Sequence, residues 1–265
     1  MPVLEIARHG GTAVLTMNRP QARNALDLEL REAFAHAIPA LRDDPGVRAV
    51  VLTGAGAHFC AGGDVRTIGS GASQGDVFEG RSRIVTMQRW FDDLVDLEKP
   101  VIAAVDGVAF GAGLSLALAA DFVIASPRAT FCAVFARVGY VPDMAAMYLL
   151  PRAVGLACAK QLAFSARVVG ASEALGIGLV HEVADAGPVL DAALALAERF
   201  RHAPPGAIAL MKSTMNRAFE SDRDTVYRQE ALAQALCRES TYHKQAVQRF
   251  MDKEPALYQW PQSQG

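Results

Sequence analysis

Two glycine-rich turns carry the backbone groups in this sequence that are best suited to chemistry. The first, residues 107–113, holds three glycines and lies between the β-branched run 101–105 and an apolar helix predicted over residues 114–120. The second, residues 59–65 (FCAGGDV), has the same order of strand, small residues and helical segment. A glycine-rich turn before a helix leaves backbone N–H groups unpaired at the positive end of the helix dipole. Such groups can bind a phosphate, or a carbonyl oxygen on which negative charge develops.

A structural role is the alternative for the turn at residues 107–113. Small residues also allow a strand and a helix to pack closely in a protein core. The turn by itself does not decide between anion binding and packing, so the elements around it matter.

The strand–turn–helix pattern recurs along the chain and predicts the elements that position the turns. Buried strands, each followed by a break and a helical segment, are expected near Ala49, Val101 and Phe122. Two short strands, residues 3–8 and 12–17, form a predicted hairpin. Helices are predicted over residues 81–97, 144–150, 189–201, 206–219 and 222–250. The sequence therefore predicts the α/β class, with a helical C-terminal part.

Composition and charge exclude several classes of protein. Of 265 residues, 51% are hydrophobic and 20% are charged, which suits a buried core and excludes disorder. The formal net charge of −2 provides no basic field, so no nucleic-acid partner is expected. The longest uncharged apolar run, residues 107–120, is shorter than the ~20 residues of a membrane helix, so no membrane association is expected.

Cysteine usage points to a reducing compartment. Cys60, Cys132, Cys158 and Cys237 are not closely spaced, and neither a Cys-x-x-Cys nor a His-x-x-x-His pattern occurs. Neither a disulfide framework nor a metal site is expected. The N-terminus lacks a basic region followed by a long apolar run, so no signal peptide is predicted. These features favour a cytoplasmic protein.

Four stretches together resemble the enoyl-CoA hydratase/isomerase family, the crotonase superfamily. They are NRPQARNAL at residues 18–26, FCAGGDV at 59–65, KPVIAAVDGVAFGAGLSLALAADFVIAS at 99–126 and VGYVPDMAAMYLLPRAVG at 138–155. The resemblance runs over nearly the whole chain, and the combination is specific although each stretch alone is weak. It implies an enzyme that acts on an acyl-CoA thioester, with no cofactor beyond the coenzyme A of the substrate.

The resemblance also implies a fold and an assembly. The expected fold is a spiral of β-β-α units over residues 1–195, which holds the acyl-CoA site. Residues 196–265 would form a helical region for oligomerisation. A homotrimer or a dimer of trimers, which is a hexamer, is therefore expected.

By position in the motifs, two backbone N–H groups would hold the thioester oxygen, those of Gly63 and Ala112. Chemistry next to a thioester carbonyl builds charge on that oxygen, and fixed N–H donors stabilise it by roughly 3–4 kcal/mol each. Ala61 and Gly62 would line the CoA side of the same loop. The other residues assigned to substrate binding are Arg23, Asp64, Val65, Gly111, Ser115, Phe135, Met144 and Tyr148.

The two charged residues in this set, Arg23 and Asp64, each have an alternative role. Arg23 is expected either to meet a CoA phosphate or to be a solvated surface charge. Asp64 follows the glycines and is also expected to cap the helix that comes next.

Hydratases of the family carry two glutamates that hold and activate water, and neither is present here. Ser115 and Phe135 stand at their positions, and neither side chain can act as a carboxylate base. The remaining carboxylate in the motif region is Asp143, in a loop where several family members also place an aspartate. These members include isomerases of ring-derived acyl-CoAs and a dehalogenase. An apolar wall is expected to raise the pKa of Asp143, supplied by Phe135, Met144, Met147 and Tyr148.

The favoured function is double-bond isomerisation of an enoyl-CoA, with Asp143 as acid and base. One positioned carboxylate can move a proton between two carbons of an acyl chain. Alternatively, Asp143 caps the helix that follows it. The alternative functions are an enoyl-CoA hydratase that holds water with other groups, a non-catalytic acyl-CoA-binding protein, and a hydrolase that uses Ser115 as nucleophile.

Overall fold

The computed structural model of the protein describes residues 1–64, 77–185 and 187–260. The strands in chain order are β1 (Leu4–His9), β2 (Thr12–Met17), β3 (Ala49–Gly54), β4 (Val101–Val105), β5 (Val108–Phe110), β6 (Phe122–Ala125), β7 (Thr130–Cys132), β8 (Val169–Gly170) and β9 (Glu182–Val183). The helices are α1 (Leu28–Asp43), α2 (Val77–Val95), α3 (Ala112–Leu118), α4 (Ala146–Val154), α5 (Leu156–Ser165), α6 (Ala171–Gly176), α7 (Val189–Arg199), α8 (Pro205–Met215), α9 (Arg223–Glu239) and α10 (Thr241–Met251). Short 3₁₀ helices cover Pro20–Ala22 and Val134–Val138.

The strands form two sheets. The larger has the order β1-β2-β3-β4-β6-β9, with β1 and β2 antiparallel and the other pairs parallel. The smaller has the order β5-β7-β8. Strand β5 follows β4 immediately and α3 follows β5, so this part of the chain is a β-β-α unit that moves from one sheet to the other.

The main sheet is covered on both faces, as its parallel strands require. All five residues of β4 are buried, and they alternate between two hydrophobic clusters. The larger cluster includes helices α1 and α2, where the rings of Phe34 and Trp90 stack at 5.2 Å. The smaller cluster includes α7, whose Leu196 and Ala197 are buried. The expected boundary between residues 195 and 196 falls inside this helix.

Helix α8 is tied to the start of β4, an interior strand of the main sheet, by an ion pair whose lysine is buried. Lys212 Nζ lies 2.7 Å from the Asp121 carboxylate and donates to the Lys99 carbonyl at 3.1 Å. The same carboxylate oxygen of Asp121 accepts from the Val101 N–H at 2.7 Å. One side chain of the C-terminal helices therefore holds the start of β4 in place.

The structure confirms strand β2 at its predicted bounds and corrects several helices. Helix α2 begins at Val77 rather than at residue 81, and α3 begins at Ala112 rather than at residue 114. The single helix predicted over residues 222–250 is two helices, because Ser240 has an extended backbone (ψ 146°) and its side chain accepts from the His243 N–H. A serine N-cap of this kind starts a new helix.

The helix predicted over residues 144–150 begins two residues later. Met144 and Ala145 have φ angles of +47° and +54°, in the left-handed region that L residues rarely adopt. The chain therefore makes a tight, strained turn directly after Asp143, and α4 starts only at Ala146. In the part of the chain that the structure describes, no helix is long and apolar enough to cross a membrane.

Candidate active site

The two glycine-rich turns lie side by side. The Cys60 N–H donates to the Val108 carbonyl at 2.9 Å, and the Phe110 N–H donates to the Cys60 carbonyl at 3.0 Å. These bonds align the segment around Cys60 parallel to β5. The residues that follow Cys60 and those that follow β5 therefore extend in the same direction, side by side. A Cβ atom on Gly62 would lie 2.8 Å from the Phe110 oxygen and 3.5 Å from the Ala112 nitrogen. Glycine at this position, with φ +104°, therefore permits the close approach.

The backbone N–H groups of Gly63 and Ala112 are both available. Leu26 pairs with the residues on either side of Gly63, through its N–H to the Gly62 carbonyl (2.8 Å) and its carbonyl to the Asp64 N–H (3.1 Å). The N–H of Gly63 consequently points away from Leu26. Ala112 is the first residue of α3, where an N–H has no partner within the helix. Within the described residues, neither N–H donates a hydrogen bond.

Asp143 lies between the 3₁₀ helix Val134–Val138 and α4, and backbone contacts fix its position. Its carbonyl accepts from the Ser115 hydroxyl and from the Ala146 N–H, both at 3.0 Å. Its side-chain Oδ1 is buried and has no hydrogen-bond partner within the described residues. Burial raises the pKa of the Asp143 carboxyl, and the positive charge of Arg31 offsets part of that shift.

The structure does not support Asp143 as a helix cap. The N-cap of α4 is Ala145, and no side chain accepts a hydrogen bond from the first turn of this helix. A buried acceptor without a partner costs about 1–3 kcal/mol, and more if it is charged. A carboxyl group held in this way is typical of a functional position rather than of a structural one.

Ser115 is completely buried on α3 and contacts backbone carbonyls. Besides its bond to Asp143, its hydroxyl lies 3.4 Å from the Gly111 carbonyl. None of these partners is a base that could activate the hydroxyl as a nucleophile. The neighbouring thiol of Cys60 is equally inert, since burial raises its pKa to about 12. The hydrolase alternative therefore has no support in this geometry.

The expected apolar wall is only partly formed. Phe135 and Met144 are buried, and the Phe135 ring lies 3.9 Å from the position that a Cβ would take on Gly111. The expectation of an apolar wall was wrong for Tyr148, whose side chain is exposed. Its hydroxyl donates to the Glu220 carboxylate at 2.9 Å, and the Asn216 carbonyl lies 3.1 Å from the same oxygen. Met147 is 62% exposed and does not contribute either.

The residues assigned to the CoA side lie on one face of the second turn. The Arg23 carbonyl accepts from the Ala61 N–H at 3.0 Å, so these two backbone segments are adjacent. The Arg23 side chain is exposed, with its backbone in the left-handed region at φ +50°. Its charge contributes to the lowered pKa of His58, although burial is the larger cause. An exposed cation thus lies beside Ala61 and Gly62.

Asp64 forms part of an ion-pair network behind Gly63. Arg19 Nη2 lies 3.1 Å from the Asp64 carboxylate and 2.9 Å from the Asp27 carboxylate, and Nη1 of Arg19 donates to the Ala25 carbonyl. This network joins the segment before α1 to the glycine turn. Val65 lies outside the described residues, as does the segment that Asp64 was expected to cap.

Arg31 lies near the candidate site, and the sequence analysis did not identify it. It lies on α1, where its Nη2 is 3.4 Å from the Leu26 carbonyl, the same oxygen that accepts from the Asp64 N–H. Its Nε is buried without a hydrogen-bond partner within the described residues. Burial lowers the pKa of Arg31, and the charges of Asp143 and Asp27 oppose that shift. The helical position of an arginine gives no sign in the sequence that its charged end is buried.

The described residues contain no cluster of three or more His, Cys, Asp or Glu side chains that could hold a metal ion. The four cysteines are free thiols.

Comparison with known proteins defines the class. The family model described as Enoyl-CoA hydratase/isomerase matches residues 7–262. The chain is 36% identical to a short-chain-enoyl-CoA hydratase of Clostridium acetobutylicum, over 94% of each chain. It is 34% identical to a 1,2-epoxyphenylacetyl-CoA isomerase of Escherichia coli, over 92% of this chain and 93% of that protein.

A crystal structure gives the same result. The enoyl-CoA hydratase/isomerase from Cupriavidus metallidurans CH34 superimposes with a TM-score of 0.93 at 38% identity, over 99% of this chain and 98% of that one. The fold and the relatives define an enzyme of acyl-CoA metabolism. The chain belongs to the enoyl-CoA hydratase/isomerase family, and the crotonase fold expected from its sequence is confirmed.

Proposed function

We propose that the protein isomerises the double bond of an enoyl-CoA, with Asp143 as the group that removes and returns the proton. The observation that carries this proposal is the buried Oδ1 of Asp143, which has no hydrogen-bond partner within the described residues. It is supported by the side chains at the two hydratase glutamate positions, since Ser115 and Phe135 cannot transfer a proton as a carboxylate does.

The reaction begins with a β,γ-enoyl-CoA whose thioester oxygen accepts from the N–H groups of Gly63 and Ala112. The Asp143 carboxylate takes a proton from the α-carbon. The electrons of that C–H bond form a double bond to the carbonyl carbon, and the carbonyl electrons move onto the oxygen. The protonated Asp143 then gives its proton to the γ-carbon. The carbonyl re-forms, the double bond moves to the α,β position, and the carboxylate is regenerated.

The environment of Asp143 suits both halves of this cycle. Burial raises its pKa and makes the carboxylate a stronger base, while the charge of Arg31 keeps it ionisable. The buried side chains of Phe135 and Met144 provide an apolar boundary near the turn that begins α3. Water is thereby kept away from an enolate that has to survive until its second protonation.

The coenzyme A part of the substrate is proposed to bind on the face formed by Ala61, Gly62 and Arg23. The exposed guanidinium of Arg23 can pair with a phosphate, and the adjacent glycine turn allows close backbone approach. The buried positions Asp64 and Gly111 flank the two turns, and Asp64 is tied to Arg19 by an ion pair. The proposal includes no cofactor beyond this coenzyme A, and a cytoplasmic location that suits the free cysteines.

We further propose that the protein is a homotrimer or a dimer of trimers through its last helices. Helices α9 and α10 contain no buried residue in the single chain. They expose the large apolar side chains Tyr227, Leu232, Leu236, Val247, Phe250 and Met251. A surface of this kind is typical of an association site. Light scattering should give at least three times the mass of the chain, and a monomeric mass would contradict this assembly.

The reaction is tested with a β,γ-enoyl-CoA and an α,β-enoyl-CoA in deuterium oxide. Isomerisation moves the double bond without adding water, and deuterium enters the product only to the extent that the proton held by Asp143 exchanges with solvent before its return. A hydratase instead produces a hydroxyacyl-CoA heavier by one water. A non-catalytic binding protein gives a heat of binding in calorimetry but no turnover of either thioester. Either of the last two results would contradict the proposed function.

A further inference from the structure

We propose that the side chains of Tyr148, Arg152 and Glu220 form a positioning cluster, which fixes Asp143 relative to the two glycine-rich turns. This inference rests on the proposed function, because it takes Asp143 as the proton-transfer group. It goes further by assigning a role in the reaction to three side chains that take no part in the proposed proton transfer.

The helix that follows Asp143 has little stability of its own. Helix α4 (Ala146–Val154) has nine residues, its N-cap makes no side-chain hydrogen bond, and Pro151 lies inside it. A proline inside a helix removes one of its hydrogen bonds, and a short helix is marginal unless the rest of the protein holds it. The buried residues of α4 are Ala146 and Leu150. Further contacts are therefore needed to fix the loop that carries Asp143.

The positioning cluster supplies such contacts from outside the helix. One oxygen of the Glu220 carboxylate accepts from the Tyr148 hydroxyl at 2.9 Å, and the other oxygen pairs with the Arg152 guanidinium. The guanidinium carbon of Arg152 lies 3.3 Å from the centroid of the Tyr148 ring, a stacked cation–π contact. Nη1 of Arg152 also donates to the Tyr148 carbonyl at 2.8 Å. Each member of the cluster thus contacts the other two.

Glu220 can act as an anchor because its own segment is bound to the body of the protein. Asn216, the C-cap of α8, donates from its side chain to the Val95 carbonyl at the end of α2 (3.1 Å). One turn earlier on α8, Lys212 is bound to the start of β4. Strand β4 leads from that contact to the first glycine-rich turn. The cluster therefore joins the Asp143 loop to the same framework that positions this turn.

The burial of Arg152 distinguishes the cluster from an ordinary surface ion pair. Its side chain is 26% exposed, and its Nε is buried without a hydrogen-bond partner within the described residues. A buried donor without a partner lowers stability. A contact that is kept in spite of such a cost is typical of a functional position. The surface pair of Arg167 and Glu173, which has two hydrogen bonds, buries no such atom.

The kinetic test begins with Tyr148→Phe, which removes the hydroxyl and keeps the ring under Arg152. We expect kcat for a β,γ-enoyl-CoA to fall about 3–10-fold, because a displaced Asp143 transfers the proton more slowly. KM should change less than about twofold, since the groups that bind the thioester are unaltered. Glu220→Ala should lower kcat at least as much. Glu220→Gln keeps an acceptor for the Tyr148 hydroxyl and should recover part of that loss.

Glu173→Gln is the matched control for the Glu220 variants. The two glutamates have nearly the same exposure, 44% for Glu173 and 46% for Glu220, and each pairs with an arginine. Glu173→Gln should keep the wild-type kcat. An equal fall of kcat in the control and in the cluster variants would overturn the inference.

A double variant shows whether the cluster acts through Asp143. Tyr148→Phe should lower kcat in the wild type but should have no further effect on kcat in Asp143→Asn, because the group that it positions is then already removed. The same fall in both backgrounds would overturn the inference. So would a Tyr148→Phe protein that keeps its kcat and raises only KM, because Tyr148 would then serve binding.

Hydrogen exchange tests the positioning without any turnover. The N–H groups of Tyr148 and Leu149 both donate to the Ala145 carbonyl, and the Ala146 N–H donates to the Asp143 carbonyl. Exchange of these three groups, measured by mass spectrometry, should be about 3–10-fold faster in Tyr148→Phe and unchanged in Glu173→Gln.

The exchange result separates this inference from the proposed function. Unchanged exchange in both Tyr148→Phe and Glu220→Ala would overturn the positioning role, whether or not the protein is an isomerase. Faster exchange in a protein that fails to isomerise either thioester would instead contradict the proposed function and leave the role of the cluster in fixing the Asp143 loop standing.

Discussion

The hydroxyl of Ser115 donates a 3.0 Å hydrogen bond to the backbone carbonyl of Asp143. By the family resemblance, Ser115 stands at a position where hydratases have a glutamate. Here its side chain bonds to the backbone of Asp143, the carboxylate that remains in the motif region. The bond joins α3, whose first N–H faces the substrate oxygen in the proposed site, to the loop that carries the carboxyl group. The proposed oxyanion donor and the proposed proton-transfer group are thus joined by a hydrogen bond between α3 and the Asp143 loop.

Replacing Ser115 by alanine should slow the reaction more than it unfolds the protein. Asp143 keeps its bond from the Ala146 N–H but loses one of two backbone restraints. We expect kcat to fall roughly 10-fold, because misplacement of a catalytic group is costly, while the free energy of unfolding falls by only about 1 kcal/mol. Steady-state kinetics and chemical denaturation measure the two effects. An unchanged kcat in a measurably destabilised protein would show that the contact is purely structural.

The pH profile should report the carboxyl group directly. In the proposed mechanism Asp143 acts first as a base, so kcat/KM should rise with pH as this group loses its proton. Burial raises its pKa, which places the rise at a higher pH than an ordinary aspartate would give. Arg31→Met removes a charge that lowers this pKa, and should therefore move the acid limb to still higher pH. A profile that is flat through the acid range in both proteins would exclude Asp143 as the base.

Gly62 should not tolerate alanine. A Cβ atom there would lie 2.8 Å from the Phe110 carbonyl oxygen, on a residue with φ +104°. We expect a loss of about 2–4 kcal/mol in stability and a fall in kcat of at least tenfold, since the two donor turns would be forced apart. Gly10→Ala is the matched control: its φ is +57° but a Cβ there meets nothing within 4 Å. It should lose about 1 kcal/mol and keep full activity. Equal losses in both variants would contradict the role of close approach.

The ion pair between Lys212 and Asp121 should be important for stability but not for chemistry. Lys212→Met leaves a carboxylate whose side chain is 25% exposed without its cation, and we expect a loss of about 1–3 kcal/mol at neutral pH. The double variant Lys212→Met with Asp121→Asn should recover part of that loss, because no buried charge remains. Thermal and chemical denaturation of the wild type, the single variants Lys212→Met and Asp121→Asn, and the double variant measure this. A double variant as unstable as the sum of the two single ones would show that the two side chains act independently.

The sequence predicted the parts of the site that depend on local patterns. The two turns share one layout of strand, glycines and helix, and the hydrogen bonds of Cys60 to β5 place them side by side. The use of the Gly63 and Ala112 N–H groups as a pair was implied by the family resemblance and stays a prediction. Two predicted helix boundaries were wrong, the start of the helix after Asp143 and the break at Ser240. The left-handed backbone of Met144 and the N-cap at Ser240 were not recognised from the sequence.

Residues whose environment is set by distant parts of the chain could not be assigned in this way. Tyr148 was expected in the apolar wall around Asp143, but its hydroxyl is bonded to Glu220, which comes 72 residues later. Arg31 was missed for the converse reason. A single arginine on an amphipathic helix is ordinarily solvated, and only the loop that holds Asp143 makes its position functional.

The most direct measurement is the isomerisation rate of Asp143→Asn with a β,γ-enoyl-CoA. Asparagine has nearly the same shape but cannot take up the proton, so kcat should fall by at least ~100-fold. The affinity for an unreactive acyl-CoA should stay within about threefold, because the Gly63 and Ala112 donors remain. Asp93→Asn, at an exposed carboxylate that pairs only with Arg42 among the described residues, serves as the control and should keep the wild-type rate. An Asp143→Asn protein that isomerises at the wild-type rate would contradict the account.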